Sequence, residues 1–218
     1  KVLDEDFRLV DSFKYPLSPK DLCLIDQIGD LAKIGVASLK VEGRMKSAEY
    51  VAVVTRIYRK YLDEYYEKGW YQVSDEDRHQ LMQIFNRGGF TQGYYWGDPE
   101  QQLISGDIPK HRGVKLGKVI KQVQGTSLID VKLYRKLSIG DGVEIQGREV
   151  FGNIVTYIKP LKGGLTRIGD LKGRTVHGDI LYQISSKEQL KEAKETYSNV
   201  TLSEGKYMRK TPVNMEFH

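Results

Sequence analysis

The sequence predicts a two-part α+β chain: the C-terminal βα units of a (β/α)8-like barrel, followed by a small antiparallel β-barrel. Three observations predict it. Up to about residue 88 the pattern reads helix, strand, helix, helix, with caps and glycine stops. From about residue 111 the apolar residues alternate with polar ones, and glycine-marked turns interrupt them. The charge changes at the same place. Residues 1–107 carry 14 Lys+Arg against 18 Asp+Glu, residues 108–187 carry 15 against 6, and residues 188–218 carry 5 against 5. The expected units are 1–87, the end of the barrel; 88–110, an aromatic and glycine-rich linker; 111–187, a basic β-barrel; and 188–218, a helix and the start of a further element.

The elements follow in order. Ser18 stands as a cap before Pro19 at a first helical position, with Asp21 as the capping-box acid. Leu22, Ile25, Ile28 and Leu31 then repeat as one buried stripe, and Gly35 stops a helix expected over 19–34. "VASLKV", residues 36–41, is short and largely apolar, as a strand covered on both faces would be. Ser47 caps a helix to about Lys68, with Tyr50, Val51, Val54, Tyr58, Tyr61 and Tyr65 toward the core. "SDEDRHQLMQIFNRGG" is a third helix, with acids in its first turn and Gly88-Gly89 at its end. Residues 88–113 lack periodicity and read as a linker that packs by Tyr94, Tyr95 and Trp96, with base stacking as the other use of those rings. "GVKLGKVIKQVQGTSLIDVKLYRKLSIGDGVEIQG", "EVFGNIVTYI" and "GDILYQIS" predict six or so strands of a closed barrel. "SSKEQLKEAKETY" is a final capped helix, and Pro212 begins a new element.

Composition excludes several classes. Apolar residues make up 39% and charged residues 29%, a globular rather than disordered balance. No apolar run approaches a membrane span, and the single Cys23 excludes an internal disulfide framework, so the reducing cytoplasm is the expected compartment. His79 and His111 stand alone, and no HExxH, CxxC or Gly-x-Ser-x-Gly occurs, so zinc-protease and serine-hydrolase chemistry have no motif here. One core strand cannot make a barrel and Lys1 is not a start residue, so the chain reads as a fragment of a longer protein. The apolar stripes over 19–34 and 47–68 then lack partners, and dimerisation, strand exchange or local disorder is expected in residues 1–45.

Two groups of side chains carry chemistry. Lys40, Glu42, Arg44 and Lys46 fall at or just beyond the C-terminal end of the strand expected at 36–41, where barrel enzymes keep their working groups. Arg44 offers a fork for a carboxylate or phosphate, Lys46 a point charge, and Glu42 a partner for Arg44 or a proton acceptor. The alternative is a loop held by Glu–Arg or Glu–Lys pairs. Lys110, Arg112, Lys115, Lys118 and Lys121 surround the first strand of the basic unit, either as a phosphate-tracking stripe or as solubilising charge on an exposed strand.

"LSPKDLCLIDQI", "GVASLKVEGRMKSAEYVAVVTRIYRKYLD" and "FNRGGFTQGYYWG" together resemble the C-terminal part of the catalytic domain of the peptidase U32 family. "HRGVKLGKV", "LSIGDGVEIQG" and "GDILYQISSKEQLKEA" resemble the collagenase-like domain that follows it in longer members. The resemblance implies a (β/α)8-like catalytic barrel and a second barrel similar to that of translation elongation factors. It implies either oxygen-independent hydroxylation of a pyrimidine in rRNA or tRNA, or the collagenase-like proteolysis of the family name. A non-catalytic binding module is the third reading. For the RNA enzymes the resemblance also brings a prephenate-like metabolite. Cys23 falls where cluster-bearing relatives place their last ligand, so the resemblance implies one thiolate of a [4Fe-4S] cluster in the longer parent and no cluster within this chain alone.

Overall fold

The computed structural model describes residues 3, 5–9, 14–97 and 103–198. Chain order runs β1 (Tyr15–Pro19), β2 (Asp21–Leu22), a 3-10 turn (Ile25–Gln27), α1 (Ile28–Lys33), α2 (Ala48–Lys68), α3 (Asp75–Ile84), β3 (Phe90–Thr91), β4 (Ile104–Gly106), β5 (Val114–Gln122), β6 (Ile129–Leu133), β7 (Gly142–Gln146), β8 (Val150–Ile154), β9 (Ile158–Pro160), β10 (Thr166–Ile168), β11 (Ile180–Ser185) and α4 (Lys187–Glu195). The element expected from Pro212 lies outside the described residues.

The three long helices form where their caps place them. Ser47, Ser74 and Ser186 each accept a backbone N–H of the first turn, at 3.2, 3.1 and 3.3 Å. Gly69 closes α2 at a φ of 75°, a left-handed position that glycine adopts without steric cost. The buried side of α2 is Val53, Ile57 and Tyr61; Val51 is exposed, so the stripe lies about one residue round from the expected one.

Residues 18–41 depart from expectation. Ser18 and Pro19 belong to β1, which pairs antiparallel with β4, and Asp21–Leu22 pair in parallel with Phe90–Thr91. These non-local ladders hold the backbone extended, so the helix starts only after the turn at Ile25 and Leu22 is exposed. Residues 36–41 form no strand: no neighbouring strand offers them a ladder, and an extended segment without one is coil.

The second part is one antiparallel sheet of seven strands in the order β8-β7-β11-β5-β6-β10-β9. Leu116, Val119, Ile129, Val131, Ile145, Ile168 and Leu181 are fully buried on one face, and Phe151 of β8 and Ile158 of β9 pack on that same core. Residues from both edge strands meeting one core show that the sheet curls. It does not close, because β8 and β9 are not hydrogen-bonded neighbours, so the closed barrel expected from sequence is an open curled sheet.

Side chains lock the helices to the sheet. Gln83 Nε2 donates to Gln183 O at 3.2 Å, and Asn86 Nδ2 donates to Gly113 O at 2.9 Å. Asn86 N donates to His111 Nδ1 at 2.9 Å, which places the ring proton on Nε2, 3.1 Å from Ile184 O. Burial pushes the His111 pKa down, in keeping with a neutral ring in this role. The two lone histidines of the sequence therefore have structural surroundings, His111 at this junction and His79 half-buried on α3.

Candidate functional site

The loop that joins α1 to α2 brings part of the expected cation group to one place. Lys40, Glu42 and Lys46 line a cleft of about 580 Å³ together with Lys20, Asp21, Tyr50, Tyr58 and Arg87. Arg44 is exposed and lines none of the clefts found; its backbone N–H donates to Glu42 Oε1 at 2.6 Å, and Lys40 Nζ stands 3.8 Å from Glu42 Oε2. Lys46 Nζ sits 2.8 Å from the centroid of Phe85, whose other neighbour is the His111 ring, stacked at 5.3 Å. Burial pushes the Lys46 ammonium pKa down, and Asp21 opposes that shift. The sequence gave no sign of the cleft's strongest pair. Asp21 accepts Arg87 N at 2.8 Å and Arg87 Nη2 at 2.9 Å, a forked pair between residues far apart in sequence.

Cys23 lies behind Tyr58. Tyr58 Oη accepts Leu24 N at 3.0 Å and stands 3.7 Å from Cys23 Sγ. Burial pushes the Cys23 thiol up, and burial together with the neighbouring sulfur pushes the Tyr58 phenol further up. Among the described residues no group of three or more His, Cys, Asp or Glu is placed to hold a metal ion. With one cysteine in the sequence, this chain does not fit a four-thiolate cluster by itself.

The expected basic stripe divides. Lys110 is paired with Glu144 Oε2 at 2.7 Å. Arg112 is half-buried at the helix–sheet junction, where its backbone N–H donates to Asn86 O at 2.8 Å. Lys115, Lys118 and Lys121 point outward from β5, opposite the core positions Leu116 and Val119. Strand register adds cations to them that a linear reading misses. Lys118 stands directly across from Lys132 of β6, and Arg167 of β10 directly across from Lys159 of β9. All six cations share the outer face of β5, β6, β10 and β9 with one carboxylate, Asp130. Arg167 grips that carboxylate at 2.7 and 3.0 Å, with Lys121 at 3.8 Å, and holds its pKa below the ordinary aspartate range. Lys115, Lys118, Lys132 and Lys159 make no ion pair among the described residues.

Residues 4–105 match the model of peptidase family U32. The chain belongs to that family. An uncharacterised protease of Methanocaldococcus jannaschii is 33% identical over 150 residues, 66% of this chain and 36% of that protein. A tRNA hydroxylation protein of Bacillus subtilis is 33% identical over 139 residues, 62% of this chain and 33% of that protein. A collagenase of Porphyromonas gingivalis is 30% identical over 203 residues, 86% of this chain and 55% of that protein. The U32 chain thus spans between a third and just over half of these relatives' own lengths. No helix among its described residues is long and apolar enough to cross a membrane.

Proposed function

We propose that this U32 chain docks RNA for a protein that hydroxylates a pyrimidine in ribosomal or transfer RNA without molecular oxygen. The observation that carries the reading is the outer sheet face, where six cations meet one carboxylate and Lys118 lies directly opposite Lys132. Like charges placed directly across an antiparallel pair cost stability, and a bound phosphate chain removes that cost while releasing counterions. The tRNA hydroxylation relative supports the same direction. The cleft with Lys20, Lys40, Lys46 and Arg87 against Asp21 and Glu42 has a surplus of cations over an apolar wall, which suits a small dicarboxylate of the prephenate kind. Cys23 serves in this reading as a single ligand to a [4Fe-4S] cluster completed by residues outside this chain, and no step is assigned to that group here.

The collagenase-named relative aligns over more of the chain, which supports peptide hydrolysis as the second reading. Nucleoside mass spectrometry of rRNA and tRNA, from cells with and without the gene, separates the two. Loss of one hydroxylated pyrimidine on deletion is the expected result. Unchanged RNA together with peptide cleavage by the purified protein contradicts it.

A further inference from the structure

The aromatic segment after α3 was expected to pack at a junction, yet Tyr94 and Trp96 are 71% and 74% exposed. Exposure of an indole usually goes with freedom to turn, but Trp96 is held. Tyr95 meets it edge-on, with ring centroids 4.8 Å apart at 85°, and the Tyr95 hydroxyl reaches Asp30 Oδ2 of α1 at 3.3 Å. Backbone turns fix the segment as well: Tyr95 N donates to Gln92 O at 3.2 Å and Gly97 N to Tyr94 O at 3.1 Å. Trp96 forms one wall of a cleft of about 630 Å³, large enough for a nucleoside. Phe90 and Met82 also line it, as do Lys20, Gln92 and Cys23. Lys20 lines the neighbouring dicarboxylate-type cleft too.

We propose that this cleft takes a single unstacked pyrimidine of a bound RNA, with the base on the open face of Trp96 and its phosphate toward Lys20. The inference rests on the RNA reading above and goes beyond it by naming where one base is seated. A rigid, solvent-facing aromatic beside an apolar wall gives a base a stacking platform at little ordering cost. The amide of Gln92 supplies both a donor and an acceptor for a base edge, and Lys20 supplies the charge for the phosphate.

The test uses the whole 218-residue chain. In a W70F background Trp96 is the one remaining tryptophan, so its fluorescence reports on this cleft alone. Titration with uridine and cytidine monophosphate should quench it saturably, and ribose 5-phosphate should not. Ligand-observed NMR should show mononucleotide affinity reduced about tenfold or more in W96A and largely kept in W96F. Equal binding by W96A, or equal binding of ribose 5-phosphate, overturns the inference. Preferential binding of N-acetylphenylalaninamide overturns it in favour of a peptide side chain. RNA binding to the sheet face is measured separately on the same protein. If RNA binds in a salt-dependent way while mononucleotides do not bind, the base site alone fails; if neither binds, the RNA reading fails with it.

Discussion

The curled sheet draws its core from all seven strands, whereas the helical part leaves Leu17, Leu22, Ile34 and Met45 exposed while burying Ile28, Ile57 and Tyr61. In the sheet each inward side chain has a cross-strand neighbour, and the polar residues are left to the outer face. In the helical part the clefts open where apolar segments have no strand to join, around residues 36–46 and β2. The contrast separates two kinds of surface. One is a rigid platform patterned by strand register; the other is a set of clefts whose walls come from loops and helix faces.

The largest expected difference between the two regions is in packing. Leu181→Ala, in the sheet core, should cost about 2–5 kcal/mol in urea unfolding, while Leu22→Ala, on the exposed strand of the helical part, should stay within about 0.5 kcal/mol. Equal losses would mean that Leu22 is covered in solution, and that the helical part is more complete than its exposed residues indicate.

Next come the two buried carboxylates, one in each region. Burial pulls the Asp77 pKa up, but Lys60 Nζ at 2.6 Å, the Tyr61 hydroxyl at 2.5 Å and Ser74 Oγ at 2.9 Å outweigh it and hold the group low. Arg167 holds Asp130 low across the sheet. A carboxyl whose folded pKa lies below its unfolded value adds stability above about pH 4, and that stability is lost as the pH falls through the folded pKa. Asp77→Asn should therefore cost about 1–3 kcal/mol at pH 7 and flatten the acid-side loss. A variant that keeps the full wild-type acid dependence would show that Asp77 does not carry it.

Much of this was legible in the sequence, and the failures have a common cause. Ser47, Ser74 and Ser186 marked their helices because a cap is a local interaction, and alternation in 114–122 and 142–146 marked strands for the same reason. The helix expected over 19–34 failed because Asp21–Leu22 are held by Phe90–Thr91, and the i, i+3 spacing of Leu22 and Ile25 carried no trace of that distant ladder. The candidate site divided in the same way. Lys115, Lys118 and Lys121 could be read from one strand, but Lys132, Lys159 and Arg167 join them only through the register of three others. Asp21 and Arg87 likewise meet only in the folded chain. Trp96 was visible as a residue type, but its exposure depends on Tyr95 and Asp30.

The smallest expected effect on stability carries the most about function. Lys132→Thr removes the like-charge pair with Lys118 and should stabilise the sheet by about 0.2–1 kcal/mol while weakening RNA binding. A lysine kept only for solubility would show the first change without the second.

The most direct test of the RNA-docking face is the salt dependence of single-stranded RNA binding by the chain. Four outward lysines without ion pairs, Lys115, Lys118, Lys132 and Lys159, predict a slope of log K against log salt of about −3. Replacing all four by threonine should bring that slope to about −1 or shallower, with the fold intact by circular dichroism. A wild-type slope near zero, or an unchanged slope in the quadruple variant, would contradict the account.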